Sequence, residues 1–122
     1  AQHMMLVNIF RISERGSLPS QRELAASMHL SPATVTATLK LLERSGYVRR
    51  IADDKDQRIN RVALTESGEA VMHEGMRRMD ALDDMMQEGL TSEEHEILCR
   101  CLSKMRDNLS RYMKSREVDA HD

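Results

Sequence analysis

The sequence predicts a mostly α-helical fold interrupted once by a small β-hairpin. Three observations predict it. Capped helix starts follow closely on one another at Ser20 and Ser31, strand-like runs flank the polar stretch 53–57, and Leu, Ile and Met recur at helical spacing through the second half.

The first element is the run Met4 to Ile12, apolar except for Asn8 and Arg11, which reads as a scaffold helix buried on most sides. Gly16, Ser17, Leu18 and Pro19 break its periodicity and leave room for a loop or a short strand. Ser20 with Glu23 three residues on is a capping box. It opens a short helix whose apolar face is Leu24, Ala25 and Met28, ending at His29 and Leu30.

Ser31 followed by Pro32 opens the next helix, because serine caps free backbone donors and proline is tolerated at the first helical position. Val35, Leu39 and Leu42 form its buried stripe, leaving Ala33, Thr34, Thr36, Ala37 and Lys40 off that stripe; Gly46 closes it. Two short helices joined by a tight turn make a helix-turn-helix unit. Tyr47 to Ile51 and Arg61 to Leu64 then read as two antiparallel strands, with Asp53, Asp54, Lys55, Asp56 and Gln57 too polar for anything but an exposed tip. A helix-turn-helix followed by such a hairpin is a winged helix.

Thr65 caps a long helix running to about Glu88, with Val71, Met72, Met76, Met79, Leu82 and Met86 at helical spacing, and Gly89 stops it. Thr91 with Glu94 forms a further capping box. Ile97, Leu98, Cys101, Leu102, Met105, Leu109 and Tyr112 carry the stripe on, and the polar residues from Ser115 to Asp122 are expected to fray. The organisation expected is a single domain over residues 1–122. A winged helix-turn-helix at 13–65 is flanked by scaffold and pairing helices at 1–12 and 66–115.

A chain of 122 residues supports one core, and no apolar run approaches the ~18 residues that span a bilayer. With no signal-like opening and only two cysteines, Cys99 and Cys101, a cytoplasmic protein without membrane contact is expected. Residues two apart on a helix face differently, so these thiols are assigned to packing, with a thiol-based redox sensor kept as an alternative. The five histidines (His3, His29, His73, His95, His121) show no tight ligand spacing, so neither a metal nor a cofactor is expected; His73 and His95 would approach only if the two long helices pair antiparallel. Glycine-rich phosphate loops, nucleophile elbows and acid–base pairs are missing from the sequence, which points away from an enzyme.

The net charge of −2 conceals a polarity. Residues 1–62 hold 10 basic and 6 acidic side chains, whereas residues 63–122 hold 8 and 14. A positive half suited to phosphates is thus joined to a negative half suited to something else.

The strings RELAASMHLSPATVTATLKLLERSGYVRR and DDKDQRINRVALTESGEA resemble the helix-turn-helix and wing of the MarR family of bacterial transcriptional regulators. The wing resemblance includes Asp-x-Arg at Asp56 and Arg58 and Leu-Thr-x-x-Gly at Leu64, Thr65 and Gly68. The resemblance implies a homodimer paired through its terminal helices, with recognition helices in successive major grooves of double-stranded DNA and wings near the flanking minor grooves. Its operator would be pseudo-palindromic, with half-sites about 10 bp apart. It further implies a repressor released by a small-molecule effector, and a helix ahead of Met4 that has no counterpart in these residues. Many members carry a basic residue where Ala37 stands here.

On this reading the Ser31, Thr34 and Thr36 hydroxyls reach phosphates or base edges, with a solvated polar face as the alternative and Ser31 acting mainly as a cap, while Lys40 shares the base reading and Ala33 and Ala37 meet thymine methyl groups. Ser20 and Gln21 reach phosphates from a helix N-terminus, with a solvated role equally open. Arg58 enters a minor groove positioned by Asp56, or the two simply brace the hairpin. Lys55, Arg49, Arg50 and Arg61 are phosphate neighbours or solvated strand charges. The alternative from another class is a winged helix used only for protein contacts.

Overall fold

The computed structural model describes residues 2–121, with side chains described through residue 119. Its contacts divide the chain into two compact units, Ala1–Asp80 and Ala81–Asp122.

In the first unit, α1 (Gln2–Glu14), α2 (Gln21–Met28) and α3 (Pro32–Arg44) precede a hairpin of β1 (Val48–Ala52) and β2 (Asn60–Leu64), after which α4 (Glu66–Met86) begins. The strands pair antiparallel in a register that sets Val48 opposite Leu64 and Ala52 opposite Asn60. A single core collects Met5, Leu6 and Ile9 of α1, Leu24 of α2, Val35, Leu39 and Leu42 of α3, Val48 and Val62 of the hairpin, and Met72 of α4. These are the apolar positions that the helical and alternating periods select, so burying them fixes how each helix is rotated.

The boundaries follow local chemistry. The Ser20 hydroxyl accepts from the Glu23 amide at 3.1 Å, and α2 ends where His29 turns left-handed with φ 54°. Segment 16–19, which the sequence left open between loop and strand, is a loop with one strand-like attachment. The Val62 amide donates to the Pro19 carbonyl at 2.8 Å, and Ser20 bridges Arg61.

The Leu-Thr-x-x-Gly string has a structural reason. The Thr65 hydroxyl donates to the Gly46 carbonyl and accepts from the Gly68 amide at 3.1 Å, while the Thr65 amide donates to the Tyr47 carbonyl at 3.0 Å. A methyl group on Gly68 would overlap that same Tyr47 carbonyl. The joint therefore pins the start of α4 to the turn that leaves α3.

The second unit holds the end of α4, a turn through Gly89 at φ 88°, and α5 (Ser92–His121). Thr91 and Glu94 cap α5 reciprocally, each backbone amide donating to the other's side chain at 3.1 Å. The expected fraying from Ser115 is corrected: α5 continues to His121, because the stretch contains neither glycine nor proline and Ser115 returns its hydroxyl proton to the Tyr112 carbonyl at 2.8 Å. Cys99 and Cys101 are both exposed within the single chain, as this unit buries none of its described side chains.

Among the described residues no helix is long and apolar enough to cross a membrane.

Candidate nucleic-acid interface

Helix α3 is built to be buried on one side and open on the other. Ser31 caps it by accepting from the Thr34 amide at 3.1 Å, and Pro32 occupies its first turn. Val35, Thr38, Leu39 and Leu42 face the core, and the Thr38 hydroxyl is satisfied by donating to the Thr34 carbonyl at 2.8 Å. Ala33, Thr34, Ala37 and Lys40 are left exposed, with Thr36 half-buried among them. This is the set that the apolar stripe excluded. The Ser31 and Thr34 hydroxyls bond one another at 2.8 Å, so they form one polar patch rather than two separate contacts.

Gln21, in the first turn of α2, reaches across to α3. Its amide nitrogen donates to Thr36 Oγ1 at 3.0 Å, and its amide oxygen accepts from the guanidinium of Arg50, which is also paired with Glu43. Ser20, beside it, is committed to capping.

In the hairpin tip, Asp53 accepts from the backbone amides of Lys55 at 3.3 Å and Asp56 at 3.1 Å, which shapes the turn. Asp56 accepts from the Arg58 amide at 3.1 Å and from its guanidinium at 3.0 and 3.2 Å. The Arg58 side chain is nonetheless 90% exposed, a cation held in place and still facing solvent. The bonds to Arg58 hold the Asp56 carboxyl below the usual carboxylate range. Lys55 is exposed beside them.

Two arginines assigned to phosphates do other work. The Arg61 guanidinium donates to the Leu18 carbonyl at 3.1 Å, to Glu23 at 2.8 Å and to Asp53 at 3.2 Å, tying loop, α2 and wing together. Those bonds raise the Arg61 pKa, and Arg61 in turn lowers that of Asp53. Arg50 is engaged by Gln21 and Glu43, which leaves Arg49 as the exposed strand arginine. The sequence offered no signal for either clasp, because each joins residues 29 to 43 positions apart alongside a local partner.

No cluster of three or more potential metal ligands exists among the described residues. His73 packs edge-on against Phe10 with ring centroids 5.3 Å apart, and His95 stands 3.8 Å from the Cys99 sulfur. The side chain of His121 lies outside the described residues.

Comparison with known proteins bears on this geometry. The MarR family model matches residues 5–59. The HTH-type transcriptional regulator TtmR of Methylorubrum extorquens is 34% identical over 103 residues, which is 83% of this chain and 51% of that protein. The uncharacterized HTH-type transcriptional regulator YwaE of Bacillus subtilis is 31% identical over 88 residues, 72% of this chain and 52% of its own. The chain thus spans about half the length of these curated relatives.

Among solved structures, the transcriptional regulator SlyA superposes with a TM-score of 0.76 at 25% identity, over 91% of this chain and 75% of that one. The S. aureus MepR–DNA complex gives 0.74 at 25% identity, over 88% and 76%. Helix order, hairpin wing and matched sequence agree, and the chain carries a winged helix-turn-helix of the MarR family.

Proposed function

We propose that this chain is a dimeric, sequence-specific regulator of transcription that binds double-stranded DNA. The observation that carries the reading is the open face of α3, where Ala33, Thr34, Ala37 and Lys40 stand exposed within the same unit as a wing tip bearing Lys55 and a solvent-facing Arg58. A helix reads base edges from a major groove, and an arginine is drawn to a narrow minor groove by its negative potential. MepR, which shares the fold, was crystallised with DNA. Thr34, Thr36 and Lys40 read bases, with Ala33 and Ala37 available to thymine methyl groups. Ser31, Ser20, Gln21 and Lys55 lie along the backbone, and Asp56 steadies Arg58.

The second unit supports the dimer. Leu98, Leu102, Met105, Leu109, Tyr112 and Met113 are each 45–66% exposed along one helix, an apolar extent that water disfavours and a second copy would cover. Residues 1–122 then act as one domain of a cytoplasmic, non-enzymatic regulator that occupies a pseudo-palindromic operator. In this reading it represses transcription and is released by a small-molecule effector.

Gel-shift titration against the DNA upstream of its own coding region tests the reading. Binding that weakens steeply with salt is expected, because lysine and arginine contacts release counterions from the phosphates. Binding that is absent at low salt refutes it and leaves a winged helix used for protein contacts. A thiol-sensing version draws support from exposed Cys99 beside His95, and operator binding indifferent to oxidant would remove it.

A further inference from the structure

The side chains of Thr36, Gln21, Arg50 and Glu43 form one hydrogen-bonded chain running from α3 to the start of α2, on to β1 and back to the last turn of α3. Each link has a forced direction. A carbonyl only accepts, so Thr36 Oγ1 spends its one proton on the Pro32 carbonyl at 2.9 Å. A guanidinium only donates, so Gln21 must turn its amide oxygen toward Arg50, which leaves the amide nitrogen to donate to Thr36. Glu43 accepts from Arg50 and fixes the guanidinium. The Thr36 hydroxyl is left with one free lone pair and no free proton.

We infer that Glu43, Arg50 and Gln21 act as positioning residues that make Thr36 an acceptor-only reader of the major groove, selecting a base that presents an exocyclic amine. The inference rests on the DNA-binding reading above. In the major groove adenine offers its N6 amine and cytosine its N4 amine, whereas guanine presents only the acceptors N7 and O6 at its edge. A freely rotating threonine hydroxyl accommodates donors and acceptors alike. Held by this chain, it meets guanine acceptor to acceptor and meets adenine or cytosine with a complementary bond.

The test is selection from a randomised operator library by the purified full chain, comparing wild type, Thr36→Val, Arg50→Ala, Gln21→Ala and the Thr36→Val/Arg50→Ala double variant. The base read by Thr36 is the position whose preference changes in Thr36→Val. Wild type is expected to favour adenine or cytosine over guanine there by about 3- to 10-fold, the range of one neutral hydrogen bond. Arg50→Ala and Gln21→Ala should each reduce that preference to under about 2-fold while other positions keep theirs. In the Thr36→Val background, Arg50→Ala should change no base preference further. A uniform loss of affinity in Arg50→Ala reflects only its missing charge and leaves the base preferences as the readout.

A wild-type preference for guanine at that position overturns the inference. So does a change of preference on losing Arg50 that is equal with and without the Thr36 hydroxyl, or no change at any position in Thr36→Val. Wild-type protein that binds no DNA overturns the DNA reading as well, so the two failures are distinguishable.

Discussion

Arg61 on β2 and Asp53, the first residue of the hairpin tip, form a 3.2 Å ion pair through the same guanidinium that holds Glu23 of α2. The pair has a definite pH signature. The Arg61 hydrogen bond keeps the Asp53 carboxyl below its ordinary value of 3.8, so its stabilising contribution is fully present above about pH 4 and is lost as pH falls through the lower folded-state value. Thermal unfolding of wild type and Asp53→Asn between pH 7 and pH 3 checks this. The wild type should lose more stability than the variant below about pH 4, and the two curves should run parallel from pH 6 to 8. Parallel curves throughout would show that the pair carries no linkage.

Gly68 is where α4 passes closest to the Tyr47 carbonyl. Gly68→Ala should destabilise the fold by about 1–3 kcal/mol, as overpacking against a backbone atom that cannot yield does. Urea unfolding measures it. Stability equal to or above wild type would mean that the turn relaxes freely.

The wing and the recognition helix should separate by their effect on specificity. Lys55→Ala is expected to weaken binding to all sequences alike and to lower the salt slope by about 1 for the phosphate no longer neutralised, whereas Arg58→Ala should weaken binding most on operators with narrow A·T-rich flanks. Thr36→Ala should instead relax specificity at one position. Uniform weakening by all three variants would contradict the placement of α3 in the groove.

The apolar face of α5 predicts the assembly state. Leu102 and Leu109 are 54% and 61% exposed, and burying a leucine contributes about 1.5–3 kcal/mol. Leu102→Glu should therefore raise the dimer dissociation constant at least ~10-fold, read by sedimentation equilibrium. A monomeric wild type at micromolar concentration would remove the dimer from the proposal.

Much of the architecture was legible because local rules and the global fold agree here. Ser20, Ser31 and Thr91 are caps whose partners lie three residues on, and Val35, Leu39 and Leu42 repeat at the helical period, so both signals sit within a short stretch of chain. The exposed face of α3 followed by subtraction. Asp56 and Arg58 were equally local, two residues apart on one hairpin tip.

By itself, then, the sequence determined where the capped helices start, which face of each is apolar, and that a short hairpin follows the helix pair. Only the tertiary structure decided what the arginines do. Arg50 and Arg61 look like Arg49 and Arg58 in the sequence, but folding brings Gln21 and Glu43 to the first and Leu18, Glu23 and Asp53 to the second. A charge free to meet phosphate and a charge spent on bracing differ only in neighbours supplied by distant segments, and pattern within a window of chain carries no information about those neighbours. The same holds for Thr36. Its position off the buried stripe was readable, but the loss of its free proton follows from partners that only the packed fold places beside it.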